Sequence, residues 1–305
     1  MKILLATDGS ETARTAVDFL LGFPFPAGSE VIVLTVIKRV LKDAEMVELS
    51  QEKRRAYDET RQAAEEEAGQ LLAAEAQRLR DAGWAGSTEL RFGHPATEII
   101  RSAEEKAVDI VVVGSHGLSG MKRFLLGSVS NHVLEAAHCS VLIVRPPTIA
   151  GTAAEASELP VRRAWRLMLA FDDSPPARKA VELCASLPLD ESTEVKAITV
   201  LPLVKMFRQD IRQQLSWVWQ DKKKAAKHGL EWVEKEVRWA TSRVSTQLIE
   251  SPSVSHAILD AGVEQGADLL ILGHKGKKAM ERFLMGSTAA QVAHHACCSV
   301  LAVRD

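Results

Sequence analysis

The sequence lacks several features that would each have indicated a class of protein. It has 38 Lys and Arg against 40 Asp and Glu in 305 residues, so the formal net charge is only −2. A balanced charge argues against nucleic-acid binding through counterion release and against attachment to an anionic membrane surface. No apolar run approaches the roughly 18–20 residues that a membrane helix needs. We therefore expect neither a nucleic acid nor a membrane as a partner.

Cysteine is scarce, and its spacing does not indicate a disulfide framework. The four cysteines include no C-x-x-C pair, and the adjacent pair Cys297 and Cys298 is of a kind that rarely bridges. Met1–Asp8 reaches a carboxylate at once and shows no signal-peptide pattern. These observations predict reduced thiols and a cytoplasmic location. His294 lies near both cysteines, but a strand is expected to begin there at once, so we predict no metal site.

The chain contains an internal repeat. Residues 108–145 and 267–304 correspond without a gap at an offset of 159 positions, and residues 3–8 correspond more loosely to residues 167–172. Between the copies, Pro146–Pro160 is rich in small residues and proline, which is typical of a linker. At roughly 150 residues per domain, the repeat predicts two domains, at residues 1–146 and 162–305, joined by a linker at 147–161.

Within each copy, short runs rich in Val, Ile and Leu alternate with helical patterns. Such alternation predicts an α/β fold with parallel strands and right-handed crossovers. The predicted architecture is two tandem doubly wound sheets of five parallel strands. In the first copy the third strand is predicted at Glu89–Phe92, and a long helix from about Ser50 to Asp81. Four of the six tryptophans fall in the long helical region of the second copy, and we interpret them as core or interface residues: Trp217, Trp219, Trp232 and Trp239.

Each copy carries a glycine motif directly behind an apolar strand. At the carboxyl edge of such a strand, closely spaced glycines let backbone approach a ligand. A Gly-Ser step then begins a helix, whose free N–H groups and positive dipole end favour phosphate. A Gly-Ser step met alone is more often only a helix start, but the full spacing occurs twice and predicts a nucleotide site. The motifs are Gly114-x2-Gly117-x9-Gly127-Ser128 and Gly273-x2-Gly276-x9-Gly286-Ser287.

These residues resemble the universal stress protein (UspA-like) superfamily in its tandem two-domain form. The resemblance depends on ILLATDGSETA at the start, FGHP before the third helix, the two glycine motifs, and the ends CSVLIVR and CSVLAVR. It covers nearly all of the chain except the long helical segments and the linker. Ser140 and Ser299 stand where the family often has proline, with no obvious functional consequence. The resemblance implies a Rossmann-like sheet of the adenine nucleotide alpha hydrolase type, with strand order 3-2-1-4-5.

By position, the resemblance to the ATP-binding branch implies a set of ligand contacts. The carboxylate that ends the first strand would contact the ribose and adenine side, and backbone at the end of the second strand would contact the base. The first two motif glycines would line the ribose and α-phosphate, and the Gly-Ser step and the following amide the outer phosphates. In the first copy these residues are Asp8, Val36, Ile37, Gly114, Gly117, Gly127, Ser128 and Val129. In the second copy they are Asp172, Gly273, Gly276, Gly286, Ser287 and Thr288.

The implied ligand is ATP with Mg²⁺, and AMP and cyclic AMP are the alternatives. Three functions stay open at this point: a nucleotide-binding regulatory protein of the stress response, a slow ATPase or nucleotidyl enzyme, and a nucleotide-free scaffold. The Walker A and G-x-G-x-x-G patterns are absent. No general base with a partner occurs at motif spacing, which favours binding over turnover, although His116 beside the loop keeps slow hydrolysis open.

The resemblance also implies pairing through the last strand. The two halves would then face each other as a pseudo-dimer, and whole chains would associate further as a homodimer.

The two sites are expected to differ in strength. Gly9 of the first copy becomes Asp173 in the second, which adds a side chain and a negative charge near the pocket. The turn Gly93-His94-Pro95 has no counterpart in residues 251–254. Lys275 replaces His116 and recovers part of the affinity. On this balance the sequence predicts stronger binding in the first copy.

Overall fold

The computed structural model describes residues 1–39, 50–117, 126–146, 164–203, 216–276 and 285–304. The expected linker at 147–161 lies outside these ranges, and so does the middle of each glycine motif. In the described residues, strands and helices alternate as expected. The strands are β1 (Lys2–Ala6), β2 (Glu30–Lys38), β3 (Ala85–Gly93), β4 (Ile110–Gly114), β5 (Ser140–Val144), β6 (Arg166–Ala170), β7 (Glu194–Pro202), β8 (Val244–Ser251), β9 (Leu269–Gly273) and β10 (Ser299–Val303). The helices are α1 (Glu11–Gly22), α2 (Gln51–Asp81), α3 (Pro95–Glu105), α4 (Ser128–Ala136), α5 (Pro175–Ser186), α6 (Ser216–Val237), α7 (Val254–Gln265) and α8 (Ser287–His295).

The strands form one sheet in the order β3-β2-β1-β4-β5-β10-β9-β6-β7-β8. Each half therefore has the order 3-2-1-4-5, and the strands within each half are parallel. The predicted fold class and strand order are confirmed. The two five-stranded halves join through β5 and β10, which pair antiparallel with Leu142 opposite Leu301.

Two arginines connect each half to a helix of the other half. Arg145, at the end of β5, donates through Nη2 to the carbonyl oxygens of Ala293 and His294, at 2.8 and 3.1 Å. These carbonyls belong to the last turn of α8, where a cation complements the helix dipole. Arg304 makes the reciprocal pair of bonds, both 3.0 Å, to the last turn of α4.

The serines that replace the family's usual proline also connect the two halves. The backbone N–H of Arg145 donates to Ser299 Oγ at 3.2 Å, and that of Arg304 donates to Ser140 Oγ at 3.1 Å. The sequence of one half does not indicate a role for its serine, because the hydrogen bond partner belongs to the other half. The structure gives both of them the same role, on the two sides of a pseudo-twofold seam.

An apolar layer covers each face of the sheet. Because successive strand residues point to opposite faces, Ile3 and Leu5 enter one layer and Leu4 the other. The first layer packs against α1, α2, α5 and α6, and the second against α3, α4, α7 and α8. None of the helices in the described part of the chain is long and apolar enough to span a bilayer.

The tryptophans of the second half do not share one environment. Trp232 packs on Phe171 at a ring-centroid distance of 5.7 Å, as expected for a core residue. Trp217 and Trp239 are 65% and 85% exposed, so neither is a core residue of this chain, and an interface role for them stays a prediction. Only the side of α6 that carries Leu230 faces the sheet, and these two rings lie near the helix ends, away from it.

Candidate functional site

Each half has a topological switch point where its first strand ends, and we call this place the crevice of that half. β1 pairs with β2 as far as Ala6 and Leu34, and the N–H of Thr7 closes the ladder on the Leu34 carbonyl at 2.9 Å. β2 continues beside β3 to Lys38. β2 and β3 lie on one side of β1, and β4 and β5 lie on the other, so the order of the strands reverses at β1. Such a switch point is where open α/β sheets bind ligands.

The carboxylate that ends the first strand faces the second glycine of the motif. Asp8 Oδ1 accepts the N–H of Ser10 at 3.0 Å, which fixes the turn into α1. A Cβ added to Gly117 would lie 2.6 Å from Asp8 Oδ2. In the second half, Asp172 and Gly276 repeat the arrangement with the same 2.6 Å distance. Each crevice therefore has a narrow cradle of backbone beside a carboxylate, which any side chain at the glycine would fill.

The first motif glycine is held by packing. A Cβ at Gly114 would lie 2.8 Å from the backbone of Thr12 in α1, and one at Gly273 would lie 2.7 Å from the backbone nitrogen of Ala177 in α5. These contacts let the helix start close against the strand end. The glycine is needed for this close approach whether or not a ligand is bound.

The third motif glycine begins a helix. Gly127 is the N-cap residue of α4 and makes no side-chain cap, and its own N–H donates to the Ser115 carbonyl at 2.8 Å. Ser128 and Val129 follow in the first turn, with the Ser128 side chain exposed. Gly286 repeats this geometry at the start of α8, with a 2.8 Å bond to His274. The N-terminal N–H groups of both helices are thus left for an anion.

In the second half these parts enclose a cleft of about 1080 Å³. The structure brings together there every residue that the sequence assigned to the second site: Asp172, Gly273, Gly276, Gly286, Ser287 and Thr288.

In the first half, Val36 and Ile37 lie in β2 beyond the last residue paired with β1, and both are half-buried. They stand beside Arg91 and Phe92 of β3. Their counterparts in the second half, Val200 and Leu201, line the cleft but were missed in the sequence. The offset of 164 positions that relates the two starts was signal enough to find them.

The outer wall of the second cleft was also missed. It is formed by one side of α6, at spacings of three, four and seven residues that place the four side chains together. These residues are Lys222, Ala225, Ala226 and Gly229. A Cβ at Gly229 would lie 3.0 Å from the Phe171 ring, so the helix passes close to the cleft floor. The motif does not include this helix, and only the small residues at helical spacing marked it.

The charges around the two crevices differ. In the second half, Asp173 adopts a left-handed conformation (φ 61°), the same region that Gly9 occupies, and its carboxylate is paired with Arg178. Lys275 and Lys222 line the cleft. In the first half, burial lowers the pKa of the His116 imidazole, and the charge of Arg145 adds to that shift. The second crevice therefore has lysine where the first has a largely neutral histidine at pH 7.

Comparison with known proteins agrees with this architecture. The chain is 33% identical over 145 residues to the universal stress protein YxiE of Bacillus subtilis, covering 47% of this chain and 98% of that protein. It is 33% identical over 152 residues to the universal stress protein MJ0577 of Methanocaldococcus jannaschii, covering 47% and 94%. A universal stress protein from Archaeoglobus fulgidus shares the fold, with a TM-score of 0.59 at 21% identity over 99% of this chain and 96% of that one. Residues 1–145 and 165–304 each match the model of the universal stress protein family, and the chain belongs to that family as a tandem protein.

Proposed function

We propose that each half binds an adenine nucleotide, ATP with Mg²⁺, in its crevice, and that the protein is a regulatory module of the stress response. Family membership supports the stress-response role. The observation that carries nucleotide binding is the repeated cradle, in which a Cβ added to the second motif glycine would lie 2.6 Å from an aspartate Oδ2 in both halves. The glycine backbone and the helix N-terminus suit the phosphates of a nucleotide, and the neighbouring carboxylate can accept hydrogen bonds from the ribose hydroxyls.

The second cleft has the size and lining that a nucleotide needs. Its volume of about 1080 Å³ is slightly above that of common ligand pockets, about 300–1,000 Å³, so a nucleotide fits in it. Val200 and Leu201 offer backbone and apolar surface to the base, and Asp172 offers carboxylate oxygens to the ribose hydroxyls. The N–H groups of Ser287 and Thr288, in the first turn of α8, would donate to the phosphates.

The nucleotide is held rather than rapidly turned over. In the described part of the chain no three His, Cys, Asp or Glu side chains are grouped as metal ligands. Mg²⁺ bound with the nucleotide would then be held mainly by phosphate oxygens and water, as it often is. His116 is the candidate general base if the nucleotide is slowly hydrolysed. Steady-state hydrolysis above about 1 s⁻¹, the lower end of ordinary enzyme rates, would favour the enzymatic alternative.

The test is titration calorimetry with ATP on the full chain. We expect two binding events, of which Gly117→Ala removes one and Gly276→Ala the other, since each added Cβ displaces the neighbouring carboxylate from the cradle. Gly69→Ala is the matched control, because a Cβ at Gly69 would meet no atom of the described residues within 4 Å. Absence of ATP binding to the wild type, or equal binding by all variants, would refute the proposal. Parallel titrations with AMP and cyclic AMP identify the preferred nucleotide.

Pairing of whole chains as a homodimer is a proposal from the family resemblance, and a cytoplasmic location is a proposal from the cysteine pattern. Light scattering during size-exclusion chromatography tests the first, because a monomer of this chain and a dimer differ twofold in mass.

A further inference from the structure

We propose that His94 and His132 form a two-histidine site for a divalent transition-metal ion, of which Zn²⁺ is the simplest probe. The site lies on the first half, between the starts of two neighbouring helices. It is independent of the nucleotide proposal, because neither histidine was assigned to the crevice.

The two rings already face each other from rigid positions. His94 is the N-cap residue of α3 and makes no side-chain cap, and His132 lies in the second turn of α4. Their ring centroids are 6.2 Å apart, and the ring planes are inclined by 47°. Both side chains are exposed. Within the described residues neither ring takes part in a hydrogen bond or an ion pair, so no existing interaction must be broken to bind a metal.

The separation is within the reach of one ion. With metal–nitrogen bonds of about 2.0–2.1 Å, each ring centroid lies about 3.2 Å from the metal, so two rings can be up to about 6.4 Å apart. Rotation of either exposed ring shortens the distance toward the tetrahedral value. Imidazole is a preferred ligand of zinc, nickel and copper, and not of Mg²⁺ or Ca²⁺. Since the described residues supply no third ligand, water completes the coordination.

The second half shows what this position does when a direct contact is available. There the counterpart of His132, at the offset of 159 positions, is Gln291 of α8. Its Oε1 accepts a hydrogen bond of 2.6 Å from Ser255 Oγ in α7. This hydrogen bond connects the N-terminal parts of α7 and α8. In the first half the residue corresponding to Ser255 is Ala96, which has no hydroxyl. The two imidazoles lie at this contact between α3 and α4 instead. A bound metal would connect α3 to α4 as the hydrogen bond connects α7 to α8.

The experiment measures Zn²⁺ binding to the full chain by titration calorimetry, with no nucleotide present because phosphates bind metal themselves. The site variants are His94→Asn, which keeps a residue able to cap α3, and His132→Gln, which installs the residue found in the second half. His228→Gln is the matched control, since His228 is an exposed histidine on α6 whose ring, among the described residues, pairs only with Glu231 of its own helix. A fourth variant, His294→Asn with Cys297→Ser, removes ligands from the other group of His and Cys residues that could bind zinc, near the end of the second copy. Circular dichroism confirms that each variant is folded.

We expect the wild type to bind one Zn²⁺ that either site variant weakens by at least about tenfold, since even outer-shell partners of a metal are worth about 10–100-fold. The control and the His294/Cys297 variant should retain it. The melting temperature of the wild type should rise with Zn²⁺, and that of the site variants should not. Failure of the wild type to bind, unchanged binding in His94→Asn, or loss of binding only in the His294/Cys297 variant would each overturn the site.

Discussion

Individual glycines of the motif have different neighbours, and this decides what a substitution does. At Gly114 an added Cβ meets the backbone of Thr12, which cannot move without shifting α1. At Gly117 it meets, among the described residues, only the carboxylate of Asp8, the end of a short side chain that can rotate. The first glycine is therefore a requirement of the fold, and the second is a requirement of the crevice.

The first prediction separates these two roles. Gly114→Ala should lower the free energy of unfolding by about 1–3 kcal/mol, the usual cost of overpacking, with or without ATP. Gly117→Ala should change stability by less than about 1 kcal/mol but remove most of the stabilisation that ATP gives to the first half. Urea unfolding with and without ATP measures both. Equal destabilisation by the two substitutions would contradict this division.

The thiols provide the second prediction. A hydrogen bond from Cys298 lowers the pKa of the half-buried Cys297, and the charge of Arg145 acts in the same direction. Burial raises the pKa of Cys139 to about 11 and that of Cys184 to about 12. Thiolate is the reactive form, and it is lost as the pH falls through the pKa. At pH 7 iodoacetamide should therefore modify Cys297 well before Cys139 and Cys184.

Peptide mass spectrometry over pH 5–9 follows this order directly. The Cys297 profile should have its midpoint below the ordinary thiol value of about 8.5. Cys298→Ala removes the donor and should shift that midpoint upward. Modification of Cys139 first, or no shift in the variant, would show that the hydrogen bond does not control the thiol.

At the scale of elements, sequence periodicity predicted the alternation of strands and helices and the start of the long helix. β1, at Lys2–Ala6, is one of the short apolar runs that predicted strands, and it is buried on both faces. The long helix begins within one residue of the predicted start, with Ser50 as the N-cap. The third strand was predicted at Glu89–Phe92 but extends over Ala85–Gly93. It is an edge strand with exposed polar side chains, so hydrophobic pattern marked only its inner end.

The seam and the outer wall of the cleft could not be predicted in this way. Motif spacing predicts only the local structure of one loop. The seam contacts join residues more than a hundred positions apart, and the outer wall lies on a helix outside the motif. Arg145 and Ser299 are examples, since nothing in either local sequence indicates that one bonds to the other.

The third prediction concerns this seam. Arg145→Ala and Arg304→Ala should each lower the free energy of unfolding by about 2–4 kcal/mol, because each removes charged hydrogen bonds to buried carbonyls at a helix end. The loss should be smaller for Arg145, whose buried Nε has no hydrogen-bond partner within the described residues. Arg101→Ala is the control, since its ion pair with Glu98 has an exposed guanidinium and should contribute less than about 1 kcal/mol. Urea denaturation that ranks Arg101 with the two seam arginines would be inconsistent with a structural seam.

For the whole molecule, the structure changes the grounds on which the two crevices were ranked. The expected repulsion by Asp173 is offset, because its carboxylate is paired with Arg178. The glycine of the Gly93 turn is explained by packing, since an added Cβ would lie 2.9 Å from Glu98. Its absence from the second half therefore does not imply a poorer site. The remaining difference between the two crevices is their positive charge, which is larger in the second half.

The last prediction reverses the order expected from the sequence. Lys275 and Lys222 line the second cleft, whereas burial keeps His116 of the first crevice largely neutral at pH 7.5 by lowering its pKa. Gly117→Ala leaves the second cleft intact and Gly276→Ala leaves the first, so the two variants report the sites separately. At low ionic strength the Gly117→Ala protein should bind ATP more tightly than the Gly276→Ala protein. Because exposed charges are screened over about 10 Å at 0.1 M salt, the gap should narrow as NaCl is added from about 0.05 to 0.3 M. Tighter binding by Gly276→Ala at both salt concentrations would restore the original order and would mean that shape, rather than charge, ranks the two crevices.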